Sequence, residues 1–397
     1  MSQKIFIAGA SARCAVHSAI QAGYDPLAAD LFVDSDLKQL CPSYLIQDYP
    51  NQLVDIARQL PPTPWMYTGG LENYPDLVDS ISQRHRLLGN PGHVLEQTAN
   101  PFLVQQVLEN QGLHYPEIHS SNPSPGSREW LLKPFYSAGG HDIRWAQLHN
   151  LSYEAKPYRD SFYYQRFLSG PTYSATYLGA EGHSYLLAVT RQIVGKRFTG
   201  SRRFSYGGSV GPITLSSSQQ DTLTHIGETL RVSMGLRGLF GVDFIWHQGE
   251  IWTIEINPRF PASVEILESS LEVSAVDLHY RVCLGQDIPR LPKPSPSPQH
   301  GKAIVYANAP FLVSEHHHRQ WMTIPLQPCP TNESSVYLAD IPTTGSFVPA
   351  GSPILTILVR DKDRRQVLRQ LVKHAKNIRQ ACLPQAKPDG CSPHDNR

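Results

Sequence analysis

The stretch 241–259, GVDFIWHQGEIWTIEINPR, constrains the chain more than any other. Two alternating runs flank a Gln-Gly pair, which reads as a β-hairpin. Val242, Phe244 and Trp246 alternate with Asp243, Ile245 and His247, and Trp252, Ile254 and Ile256 alternate with Thr253, Glu255 and Asn257. Residues directly opposite each other share a face, so the turn decides which side chains meet. A two-residue turn, Gln248-Gly249, sets Asp243 opposite Ile254. A three-residue connection, Gln248 to Glu250, sets Asp243 opposite Glu255, with Asn257 on the same face. The three-residue connection is the expectation: bulky apolar residues on the other face imply a packed sheet, and carboxylates buried in it need a cation. Asp243, Glu255 and Asn257 offer hard oxygen donors of the kind that hold Mg²⁺ together with substrate phosphates. Arg259 stands just past the strand end.

The rest of the sequence narrows the class. A chain of 397 residues has room for two or three cored domains, and a net charge of +1 argues against nucleic-acid binding by bulk charge. No run of 18 apolar residues suggests a membrane span. The opening MSQKIFIAGASARC reads as a first core strand and not as a signal peptide. Cys14, Cys41, Cys283, Cys329, Cys382 and Cys391 form no C-x-x-C pair, so neither disulfides nor a zinc site is expected, and a cytoplasmic location fits.

Taken in order, Lys4 to Gly9 and Tyr24 to Asp30 read as strands around a helix, an α/β opening. The intervening GASARC is either a tight turn or an anion seat in which Ser11 and Arg13 stand at a helix N-terminus. A strand from Trp65 to Thr68 ends on Gly-Gly, where Glu72 faces either a substrate or its own helix. Helices are expected over Pro75 to Arg86 and Gln97 to Gly112. The strand Trp130 to Leu132 delivers Lys133 beside SAGG, Ser137 to Gly140, either a triphosphate grip or a glycine hairpin with a surface lysine. Strands over 162–168, 172–178 and 183–193 lead to a basic aromatic loop, FTGSRRFSYGGSVGP, which is either a contact for phosphate or an acidic substrate or a solvated surface loop. A helix over Ser217 to Met234, closed by Gly235, precedes the hairpin, and another spans Ala262 to Cys283. His316, His317 and His318 read as an exposed loop more readily than as a metal site. A last helix covers Asp363 to Ala381.

Lys133 with SAGG, the strand YQRFL and the D-x11-E-x-N-x-R hairpin, in that order, resemble the ATP-grasp superfamily, which includes biotin carboxylase, D-alanine–D-alanine ligase and glutathione synthetase. The front segment and NPRFPASVE are most similar to the ATP-dependent carboligase branch. The resemblance implies an α/β chain: a Rossmann-like pre-ATP-grasp domain over 1–95 and an ATP-grasp fold of two α+β subdomains, a lid over 96–170 and a metal-binding part over 171–290. A small C-terminal α+β region over 291–382 and a disordered tail over 383–397 would follow. It also implies roles. Lys133 would contact the ATP phosphates under the loop containing Ser137, Gly139 and Gly140. Gln165, Arg166, Phe167 and Leu168 would meet the adenine edge, with Gln165 in place of the usual glutamate. Arg191 joins this nucleotide-binding set. Asp243, Glu255 and Asn257 would hold Mg²⁺ or Mn²⁺, and Arg259 would steady the transferred phosphate. Two features depart from the family. Thr98 to Pro101 lack the lysine often found there, and Thr172 stands where an acid often holds the ribose.

The implied activity is ATP-dependent joining of a carboxylate and an amine, both small molecules, through an acyl phosphate, with Arg259 and Lys133 as catalytic residues and Ser11, Arg13 and Glu72 helping to hold the acceptor. Carboxylation through carboxyphosphate and nucleotide binding without turnover are the alternatives, and a homodimer is compatible with each.

Overall fold

A computed structural model describes residues 2–124, 128–146, 162–292, 295, 297–323 and 334–383. All but the first residue of the expected tail lie outside that set. The chain opens with a parallel sheet of β1 (Lys4–Gly9), β2 (Asp25–Asp30), β3 (Ser43–Leu45) and β4 (Trp65–Tyr67), in the order β3-β2-β1-β4. Helix α1 (Arg13–Gln21) links β1 to β2. Helices α2 (Ser35–Leu40), α3 (Leu53–Gln59) and α4 (Pro75–Ser82) complete this unit. Asp30 ends β2 and closes the start of α1, accepting from the Ala12 amide at 2.7 Å and from those of Phe32 and Val33.

The helix expected over 97–112 is two helices, α5 (Gly92–Ala99) and α6 (Pro101–Glu109). Pro101 disfavours a helical residue before it, and Asn100 is extended, with ψ 102°. Its Oδ1 caps α6 through the amides of Phe102 and Leu103. A small antiparallel sheet follows: β5 (Ile118–His119), β6 (Trp130–Pro134), β7 (Arg144–Trp145) and β8 (Phe162–Arg166), in the order β5-β8-β6-β7.

The largest layer contains β9 (Thr172–Ala180), β10 (His183–Val194), β11 (Tyr206–Gly211), β12 (Gly238–His247), β13 (Glu250–Asn257) and β14 (Gln299–Tyr306). The short β15 (Phe311–Leu312) and β17 (Phe347–Val348) pair apart, while β16 (Ser335–Ala339) and β18 (Pro353–Asp361) complete the large sheet, in the order β13-β12-β9-β10-β11-β14-β18-β16. Strands from 299–361 thus continue the sheet that carries the hairpin. The basic aromatic stretch is not all loop, because its second half is β11. Gly208 permits this, since a side chain there would run into the Lys302 carbonyl of β14.

Helix α7 (Ser217–Met234) lies on one face, where Leu223, Ile226 and Leu230 pack with Tyr177, Val189 and Phe240. The helix expected over 262–283 is split into α8 (Val264–Leu271) and α9 (Ala275–Leu284), because Glu272 is left-handed at φ 53° and Ser274 caps α9. These two cover the other face and join α1 in one core with Leu178, Ala188 and Leu239. The triple histidine is not a loop but part of α10 (Glu315–Met322), whose cap is Ser314, and His318 Nε2 lies 2.9 Å from Ser35 Oγ. Helix α11 (Arg364–Ala381) packs Val367, Leu371 and Ala375 among Val210, Ala303 and Ile357.

Candidate active site

Asp243 and Glu255 do stand opposite each other, but by a different device from the expected turn. The connection has two residues: His247 pairs with Glu250, and Gln248 and Gly249 both have positive φ, 52° and 88°. Such primed turns match the twist of a hairpin. Phe244 pairs with Thr253 and Asp243 with Glu255, so Ile254 is an extra residue, a β-bulge. The bulge supplies the odd residue that the turn lacks, and the Ile254 carbonyl accepts from Lys133 Nζ at 3.2 Å.

Burial is the main influence on both carboxylates. It raises Asp243, against hydrogen bonds from Ser174, Gln192 and Asn257. It pushes Glu255 to about 7, helped by repulsion from Asp243 and opposed by Lys133 and Arg259. Asp243 Oδ1 is buried without a hydrogen-bond partner. Among the described residues no three His, Cys, Asp or Glu side chains converge as metal ligands, so the donor set is two carboxylates and an amide.

Arg259 donates from Nε to Glu72 at 2.8 Å and from Nη2 to Asn257 Oδ1 at 3.0 Å. Burial disfavours its charge, and Glu72, Glu255 and Asp243 more than restore it. Glu72 is fixed in turn by the Gly70 amide, so the front domain reaches this site through Glu72. Lys133, at the end of β6, donates to Gln165 Oε1 at 3.2 Å. A lysine has no acceptor, so this contact fixes the amide orientation, and Gln165 Nε2 remains buried without a partner.

A cavity of about 540 Å³ lies between the small and large sheets. Lys133, Gly139, Gly140, Gln165, Arg166, Phe167 and Leu168 line it from one side. Arg191, Asp243, Glu255, Asn257 and Arg259 line it from the other. Ser137 lies elsewhere: it borders an adjoining hollow of about 70 Å³ beside Glu72 and Lys133. Gln192 pairs with Ser209, and both line the cavity. Sequence reading missed Gln192, whose only signal was polar alternation within a predicted strand, whereas Tyr206 and Ser209 belong to the basic aromatic stretch read either as a phosphate contact or as a surface loop. It also missed Arg364 and Leu368 of α11, which reach this wall and carried no local signal.

Arg13 does not face an open anion seat. Its guanidinium is taken by Glu265 at 2.5 Å, Asp340 at 2.8 Å and Asp36 at 3.5 Å, and the amides at the start of α1 by Asp30. Ser11 uses its carbonyl to accept from Thr68, and neither Ser11 nor Arg13 lines the cavity.

A cleft between two sheets, with a lysine and a glycine turn facing a carboxylate hairpin, defines a two-lobed protein with an enclosed cavity. Residues 98–263 match the ATP-grasp domain family. An uncharacterised protein of Methanocaldococcus jannaschii is 22% identical over 379 residues, covering 90% of this chain and 88% of its own. The biotin carboxylase domain of Hydrogenobacter thermophilus 2-oxoglutarate carboxylase, a dimer in complex with MgADP, ADP and bicarbonate, superposes with a TM-score of 0.70 at 13% identity, covering 96% of this chain and 94% of that one. N5-carboxyaminoimidazole ribonucleotide synthetase from Thermotoga maritima superposes with a TM-score of 0.64 at 13% identity, over 95% and 98% of the chains. That match and the shared fold mark residues 98–263 as an ATP-grasp domain, within a chain whose overall fold is that of these solved structures. No described helix is long and apolar enough to cross a membrane.

Proposed function

We propose that this chain is an ATP-dependent carboxylate–amine ligase. A carboxylate and ATP give an acyl phosphate and ADP; an amine then displaces phosphate and leaves an amide. The observation that carries this reading is the pairing of Asp243 with Glu255, beside Asn257 and Arg259 and across the cavity from Lys133. Two buried carboxylates raised toward neutrality, one with an orphaned oxygen, fit a divalent cation held by hard oxygens. Asp243, Glu255 and Asn257 would hold Mg²⁺, with Mn²⁺ as a substitute, and the bound ion would neutralise phosphate charge.

The remaining roles follow from charge and position. Lys133 has neutral hydrogen-bond acceptors, Gln165 and Ile254, and its ammonium can exchange one of them for a phosphate oxygen. Arg259, oriented by Glu72, presents its guanidinium beside Asn257, where it would stabilise charge on the transferred phosphoryl group. Gly139 and Gly140 would cover the phosphates, and the backbone of Arg166 to Leu168 would take the adenine edge. Two small-molecule substrates, a cytoplasmic site of action and a homodimer complete the reading.

Carboxylation through carboxyphosphate is the second reading, favoured by the similarity to a carboxylase domain in complex with bicarbonate. An assay of ADP release across small carboxylic acids, with and without amines and bicarbonate, separates the two. Ligation predicts dependence on acid and amine, and carboxylation predicts dependence on bicarbonate. Glu255→Gln keeps the shape and removes the charge, and ADP release should fall by about 100-fold or more. Undiminished release would refute the metal assignment.

A further inference from the structure

The two lobes touch across the mouth of the cavity, in part through Trp145, Arg203 and Phe204, to which no proposed step assigns a role. Trp145 of β7, on the small sheet, packs at 4.9 Å between ring centroids on Phe167 and at 5.7 Å on Phe204. Phe204 belongs to the segment before β11, on the opposite lobe. The Arg203 guanidinium lies 5.1 Å over the Trp145 ring. The Tyr206 amide donates to the Gly139 carbonyl at 2.9 Å. His141 Nδ1 lies 3.4 Å from Ser205 Oγ. Gly140 has φ 71°, and a side chain there would collide with the Phe204 carbonyl, so the glycine allows the backbones to meet. Gly139, Gly140, Phe167, Phe204 and Tyr206 all line the cavity.

We propose that Trp145 and Arg203 form a clasp that holds the glycine turn shut against segment 203–206, and that they are positioning residues that retain nucleotide and exclude water from the acyl phosphate. Edge-to-face ring contacts and a cation over an aromatic face are each weak, and together they suit a contact that must open every turnover. Phe167 sits against the same indole, so the clasp also ties the lid to the segment proposed to meet the adenine. What the clasp retains rests on the nucleotide reading above, but the clasp itself can be tested without nucleotide.

Hydrogen exchange on the full, nucleotide-free chain is the first measurement. In Trp145→Ala the Tyr206 amide, donor to Gly139, should exchange about tenfold faster or more, with the amides of α7 unchanged. Trp145→Phe should restore most of the protection. Arg203 is exposed, so Arg203→Ala should leave the fold intact and show the same loosening, even where Trp145→Ala fails to fold. Unchanged exchange at Tyr206 in Arg203→Ala, and in any folded Trp145→Ala, overturns the clasp. Dissociation of a fluorescent ATP analogue with Mg²⁺ is the second measurement, and it should quicken about tenfold in either alanine variant. An unchanged rate overturns the retention role. Failure of the unaltered chain to bind the analogue overturns the nucleotide reading and the retention role with it, while the exchange data still decide the clasp.

Discussion

Arg13, Asp36 and Lys302 are buried, and Glu265 and Asp340 mostly so, where α1, α2, α8, β14 and the end of β16 meet. Lys302 Nζ lies 2.8 Å from Glu265, which also takes Arg13. Burial opposes every charge in the group, yet Arg13 and Lys302 hold Asp340 well below the usual carboxylate range, and Asp340 and Glu265 raise Arg13. Such a cluster is sensitive to losing one member more than to losing all, since each deletion leaves uncompensated charge in a dry site. Arg13→Ala should therefore cost about 3–5 kcal/mol in urea unfolding. None of the five residues lines the cavity, so the affinity for MgATP at a temperature where the variant is folded should stay within about threefold. A weaker stability effect, or a large loss of affinity, would contradict this placement. The sequence shows Arg13 only as a charge at a helix start. Asp340 is 327 positions away, and no local pattern announces that partner.

Elements were legible where both ends carried chemistry. Helix α7 has a Ser216–Gln219 capping box and a left-handed Gly235, so its limits could be read directly. The hairpin was legible in outcome and not in cause: its turn is shorter by one residue than expected, and the bulge at Ile254 restores the facing of Asp243 and Glu255. A period of two cannot reveal an inserted residue, because each flanking run still alternates. Helices α5 and α6 were read as one because Pro101 suits a first turn, and the turn it begins belongs to a second helix. Asn100→Ala should remove the α6 cap and lower stability by about 1 kcal/mol, read as a shift in denaturant midpoint. The turn makes a separate prediction. Gly249→Ala must adopt φ near 88° and should cost about 1 kcal/mol or more, with the face of Asp243 and Glu255 unaltered, so ADP release per folded molecule should not change. Lost activity in this variant would mean that the turn, and not the bulge, sets the register.

At the scale of the molecule, the front domain is seated on the large-sheet domain by buried polar contacts as well as by shared core. Glu268 on α8 accepts from Ser18 Oγ on α1 and from the Ala275 amide at the start of α9. Burial nevertheless pushes its carboxyl up to about 7 from 4.5. The folded chain therefore binds a proton here that the unfolded chain releases between those values. The associated stability is fully present below pH 4.5 and lost as the pH rises through 7, on the order of 3 kcal/mol. His279 works in the opposite direction. Its Nδ1 accepts from the Leu239 amide and its Nε2 donates to the Leu88 carbonyl, so the neutral ring is held. Burial lowers it from 6.5 to about 4, and its contribution, present above 6.5, is lost as the pH falls through 4. The two slopes overlap in the raw profile, so the informative quantity is the difference between the unaltered chain and Glu268→Gln. The amide can still accept from Ser18 and Ala275 and does not titrate. In urea unfolding, the variant should gain on the unaltered chain by on the order of 3 kcal/mol between pH 5 and pH 8. Parallel pH profiles would show that Glu268 stays ionised throughout that range and that the seat between the domains does not carry a buried proton.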